Sequence, residues 1–139
     1  MLQQDVGQGA ANEVAISLQL FRQVQRRPFA AHVIHVEVVG KDGPALQRFY
    51  GDVFGWQLDT NNPGGYGMFR DEALTAGLGQ SQDGGPGHVT FYVHADDPAA
   101  TLRRVEELGG RVIMPLTEVA PETTVALFAD PEGHIVGLM

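Results

Sequence analysis

The chain repeats itself. His35-Val36-Glu37-Val38-Val39, then Asp42-Gly43-Pro44 and a helical stretch ending at Gly55-Trp56, form the first copy. His88-Val89-Thr90-Phe91-Tyr92, then Asp96-Asp97-Pro98 and a second helical stretch ending at Gly109-Gly110, form the next, with one residue of slippage between them. A repeat constrains the fold because each copy is one supersecondary unit that buries its apolar face only against a neighbour. At 139 residues the chain fits one compact domain made of two such modules. A domain of that size buries roughly two-thirds of its unfolded surface and folds without disulfides or structural metal.

Within each copy the residue pattern sets the element order. Ile34, Val36 and Val38 alternate with His35, Glu37 and Val39, the period of a strand over about 33–39. Asp42 is placed to cap a helix with Pro44 in its first turn, and Leu46, Phe49, Tyr50 and Val53 read as its buried stripe. Gly55 stops it. Strands are expected at about 56–60, 66–70 and 74–79, separated by Asn61-Asn62-Pro63-Gly64-Gly65 and by Asp71-Glu72.

The second copy follows the same order. A strand over 88–94 puts Val89, Phe91 and Val93 on one face and His88, Thr90, Tyr92 and His94 on the other. A helix capped by Asp96 or Asp97 buries Leu102, Val105 and Leu108. Strands near 111–119 and 124–129 lead to a type I turn at Asp130-Pro131-Glu132-Gly133 and a last strand over 134–139.

Each half is therefore β-α-β-β-β, an α+β fold. Two tandem modules, 32–79 and 87–139, should form one curved, cup-like mixed sheet with the helices outside. The polar strand faces would line its hollow. Residues 1–31 stand apart as an N-terminal arm, helical over about 12–26 with Asn12 available as a cap.

Composition excludes several chemistries. The absence of cysteine removes thiol catalysis, zinc-thiolate sites and iron–sulfur clusters. A formal charge of −8 with Lys41 as the sole lysine argues against a nucleic-acid partner and mildly favours a cationic ligand. Met1 to Asp5 lack the basic start of a secretory signal. No apolar run approaches the ~20 residues of a membrane helix. A cytoplasmic protein without a membrane partner is expected. The two serines, Ser17 and Ser81, have no nucleophile-elbow setting, and no lysine follows the glycine-rich stretches as in a phosphate loop.

The first-strand His35-Val-Glu-Val, the helix end Phe49-Tyr50 with Phe54-Gly55-Trp56, and the closing Asp130-Pro131-Glu132-Gly133-His134 together resemble the vicinal oxygen chelate superfamily. That group includes glyoxalase I, extradiol dioxygenases, fosfomycin-resistance proteins and bleomycin-binding proteins. The resemblance covers about 32–139 and implies paired modules, often in a homodimer, around a divalent metal acting as a Lewis acid. Residue by residue, it places metal ligands at His35 and His88. The last-strand ligand position falls at Gly137, and the matching first-module strand, Thr75-Ala76-Gly77-Leu78, also has glycine there. Two imidazoles fall short of the three protein ligands of a usual catalytic zinc. Glu37, two residues from His35 on the same face, would be the third ligand or a general base; the other reading makes it part of a polar, hydrogen-bonded cleft wall.

Three functions are compatible with these residues. The first is small-molecule binding without the usual metal chemistry, in a cleft lined by His35, Glu37, His88, Thr90, Tyr92 and His94. The second is a divalent-metal-dependent lyase, isomerase or dioxygenase with an atypical site. The third is a dimeric scaffold without ligand.

Overall fold

The computed structural model describes residues 2–21, 31–72 and 74–139. The chain divides into two units, Met1–Ala30 and Ala31–Met139. In the first, α1 spans Leu2–Phe21 and so begins well before the expected start at Asn12. Leu2-Gln3-Gln4 and Ala10-Ala11 are good helix formers, so propensity carries the helix through Gly7 and Gly9. Asn12 sits mid-helix, its side-chain oxygen accepting from Gln8 Nε2 at 3.5 Å, and caps nothing. The expected segment 22–26 lies outside the described residues.

The second unit is one seven-stranded mixed sheet with two helices. Its elements are β1 His32–Gly40, α2 Gly43–Phe54, β2 Gly67–Asp71, β3 Leu74–Gln80, β4 His88–His94, α3 Pro98–Glu107, β5 Arg111–Ala120, β6 Thr123–Ala129 and β7 Ile135–Leu138. The strand order β2-β3-β1-β4-β7-β6-β5 sets the two modules side by side. β1 and β4 join them as an antiparallel pair, and each has a parallel partner from its own module, β3 and β7. The tandem βαβββ arrangement is thus the observed fold, with the second strand of module one shrunk to a bridge at Asp59.

Local chemistry explains the joints. Asp42 and Asp97 each accept a hydrogen bond from the third residue on, Ala45 N and Ala100 N, both at 3.0 Å, with proline in the first helical turn. Gly55 ends α2 in the left-handed region at φ 71°. At the last turn Gly133 N donates to Asp130 O at 2.9 Å.

Three expectations need correcting. The strand over 56–60 is reduced to a single bridge, Asp59 to Met68, and Trp56 stacks on Phe69 at 4.1 Å. Phe49 and Val53 face outward; the inward side of α2 includes Gln47, whose amide donates to Gly65 O and Leu78 O at 2.9 Å each. Leu108 is exposed, since α3 ends at Glu107 and its buried contact is Leu102, packed with Ala126 and Leu138. Of the second module's apolar strand face, Val93 reaches that core while Val89 and Phe91 stay exposed. No described helix is long and apolar enough to cross a membrane.

Candidate functional site

Strand register builds the site. His35 lies opposite Tyr92, Glu37 opposite Thr90 and Val39 opposite His88 across the β1–β4 seam. On the other side of β1, His35, Glu37 and Val39 face Thr75, Gly77 and Gly79 of β3. Residues on one face repeat every second position, so these polar side chains share one side of the sheet centre.

Glu37 is the hub. Its Oε1 accepts from the Tyr66 hydroxyl at 2.9 Å. Its Oε2 accepts from the Tyr92 hydroxyl at 3.0 Å and from His88 Nε2 at 2.7 Å. A carboxylate offers about four lone-pair sites, so three donors leave one open, on Oε1. The Glu37 side chain is 11% exposed and that of His88 27%, so the hub is reached from solvent on the His88 side.

His35 is buried behind the hub, with Nδ1 2.6 Å from Thr75 Oγ1 and Nε2 2.9 Å from the Tyr66 hydroxyl. Proton counting assigns its state. Tyr66 has one proton and gives it to Glu37, so its oxygen accepts from His35 Nε2–H. The Thr75 hydroxyl has two acceptors in reach, Ile34 O at 3.3 Å and His35 Nδ1 at 2.6 Å, and a neutral imidazole takes its proton at the shorter contact. The bonds run in one direction, Thr75 to His35 to Tyr66 to Glu37, and polarise one another toward the carboxylate. Burial favours the uncharged ring and holds His35 below its ordinary value, against the opposing pull of Glu37. Burial, then the Glu37 charge, then the bond to Glu37, push both Tyr66 and Tyr92 well above the ordinary phenol range.

These shifts give a pH signature. Below the ordinary histidine value of 6.5 the unfolded chain binds a proton at His35 that the folded chain refuses. Stability should therefore fall as pH drops from 6.5 toward the lowered folded value, by about 1.4 kcal/mol per unit at most. Above 10.0 the unfolded chain loses protons that Tyr66 and Tyr92 retain in the fold, so stability should fall again with rising pH. Urea unfolding across pH checks both limbs; Y92F should flatten the alkaline one and H35N the acid one.

The other expected site residues are placed differently. Thr90 is buried opposite Glu37, but its hydroxyl donates to Ile135 O. His94 ends β4, exposed, with Nε2 3.5 Å from Asp96 Oδ1, and makes no bond to the cluster. His35 and His88 both reach the Glu37 assembly, the former through Tyr66. Tyr66 and Thr75 are site residues absent from the sequence reading. Gly77 and Gly79 were the available signal: two bare positions on one strand face leave room for a ring, and Tyr66 lies over both.

Whether these side chains fit the divalent metal implied by the resemblance can be tested on their geometry. Among the described residues no group of three His, Cys, Asp or Glu side chains is spaced to hold one. Both His35 nitrogens are committed, and the Tyr66 hydroxyl stands between His35 and Glu37. A Cβ at Gly77 would collide with the Tyr66 hydroxyl, and one at Gly137 with the Tyr92 ring. The residues present do not fit a metal centre.

The profile of a glyoxalase-like domain matches residues 35–139. The chain belongs to the glyoxalase-like family. It is 30% identical over 112 residues to the putative glyoxylase CFP32 of Mycobacterium bovis, covering 74% of this chain and 43% of that one. It is 35% identical over 111 residues to the anthracycline biosynthesis protein DnrV of Streptomyces peucetius, covering 66% and 40%. The chain thus spans less than half the length of these curated relatives. Among solved structures, a glyoxalase/bleomycin resistance protein/dioxygenase superfamily member from Vibrio splendidus has the same fold. It superposes with TM-score 0.54 at 18% identity, covering 78% of this chain and 97% of that one. The glyoxalase-like domain accounts for the paired modules.

Proposed function

We propose that this glyoxalase-like domain binds a small molecule over Glu37, without the metal chemistry usual in the fold. One observation carries the reading: Glu37 is held by three donors within 3.0 Å, keeps one lone pair unoccupied and is partly exposed beside His88. Fixed acceptors of this kind add affinity because their ordering cost is met on folding. Its partners are two phenols and an imidazole, with no lysine or arginine among them, so a cationic group on the ligand would complete the charge. Beside the cluster, an open depression lined by Trp56, Met68, Arg70 and Thr75 offers apolar surface next to the His35 end of the chain of bonds. A cytoplasmic homodimer belongs to the same reading, with the exposed Val36, Val89 and Phe91 as an apolar face for a second copy.

Thermal-shift screening of the whole chain tests this. The panel should hold cationic drugs, dicarbonyl–thiol adducts and an anthracycline, the last because of the name DnrV carries. A true ligand at 100 times its Kd should stabilise by about 2.7 kcal/mol, and E37Q should lose most of that gain. A ligand that stabilises E37Q as much as the unaltered chain would place binding away from Glu37.

A further inference from the structure

We infer that Tyr66 and Tyr92 are the residues that put a carboxylate receptor in this domain where the fold elsewhere builds a metal site. The inference rests on the proposed ligand cleft only for what the receptor binds; its metal arm stands alone. Both modules carry the same arrangement, a tyrosine over a strand glycine. In the first, the Tyr66 ring lies over Gly79, 2.7 Å from where a Cβ would be, and its hydroxyl lies over Gly77. In the second, the Tyr92 ring covers Gly137, its register partner on β7. A side chain at 77 or 137 and the ring above it therefore compete for one volume. The phenols do more than fill it. From opposite sides of β1 their hydroxyls converge on the two oxygens of Glu37, one each.

That arrangement is specific to a carboxylate acceptor. A phenol that stays protonated donates to an anion but offers a cation only a weak neutral oxygen. Donors around Glu37 occupy the lone pairs a metal would need, and fix the open one for an N–H or O–H group of the ligand. Neither tyrosine is a catalytic residue; both position Glu37 and decide what it receives.

Calorimetric titration of the full chain with Zn²⁺, Ni²⁺ and Mn²⁺, and the visible spectrum with Co²⁺, test the exchange. The unaltered chain should show no one-to-one binding that depends on His88 or Glu37. The paired variants Y92A/G137E and Y66A/G77E free the volume and place a carboxylate in it. At least one should gain one ion per chain, at least 100-fold more tightly than the unaltered chain, and H88A or E37Q added to Y92A/G137E should remove the gain. Y92F should leave the glycine positions covered and create no site.

Stoichiometric metal on the unaltered chain, lost in H88A, would overturn the inference. So would folded paired variants that gain no metal, or paired variants that fail to fold by circular dichroism, since the volumes would then not be interchangeable. If the metal arm succeeds while the ligand screen finds nothing, the exchange stands and the small-molecule reading fails.

Discussion

Replacing Gly137 by alanine is expected to destabilise the domain by about 3–5 kcal/mol, a large share of the 5–15 kcal/mol typical of a domain. Gly137 is buried on β7, and the atoms a methyl group would meet belong to the body of the Tyr92 ring, not to a flexible tip. Overpacking of this kind costs about 1–3 kcal/mol by itself. If the ring swings aside, its hydroxyl leaves Glu37, and losing a bond to a charged group adds about 1.5–3 kcal/mol. The Y92A/G137A pair separates this from a general intolerance of β7. Y92A should be costly too, because a buried aromatic is removed, yet the pair should cost less than the two singles added, by at least about 1 kcal/mol. Denaturant unfolding of the four proteins measures it. Additive costs, or a G137A protein as stable as the unaltered one, would show that the ring does not need that space.

The repeat made much of this arrangement legible. Period-two alternation put His35 and Glu37 on one face and His88, Thr90 and Tyr92 on another. Pairing β1 with β4 turned two equivalent strands into one polar floor. Alternation says nothing about reach, however. Tyr66 arrives from a loop 29 positions from Glu37, held by Asn62, whose amide both donates to Tyr66 O and accepts from Tyr66 N. No local period encodes that path. His94 shows the converse: it shares Tyr92's face by count, but at the end of β4 it meets Asp96 and solvent. Helical spacing likewise found α2 but only part of its inner side, because Gln47 holds its half-buried place through backbone carbonyls that the sequence does not display. The glycines at 77 and 137 were legible as missing ligands; that rings had moved over them was not.

Removing the hub itself should have the broadest effect. In E37M a side chain of similar length offers only a weak thioether acceptor, so the Tyr66 hydroxyl, the Tyr92 hydroxyl and His88 Nε2–H all lose their carboxylate partner. An unsatisfied buried donor costs about 1–3 kcal/mol, but His88 and part of Tyr66 can turn to water, so about 2–4 kcal/mol in all is expected. E37Q separates charge from shape. It keeps one acceptor oxygen and directs an amide N–H₂ at donors that cannot accept without rearranging. Its pH behaviour is the sharper readout. The Glu37 charge is the second cause, after burial, of the raised tyrosine values, so removing it brings both phenols back toward 10.0 without restoring them fully. The alkaline loss of stability should therefore become shallower in E37Q and E37M while keeping its sign. The opposite result, an alkaline limb as steep in both variants as in the unaltered chain, would mean that the phenols answer to burial alone. Glu37 would then be one polar residue among several on the sheet and not the charge around which the site is built.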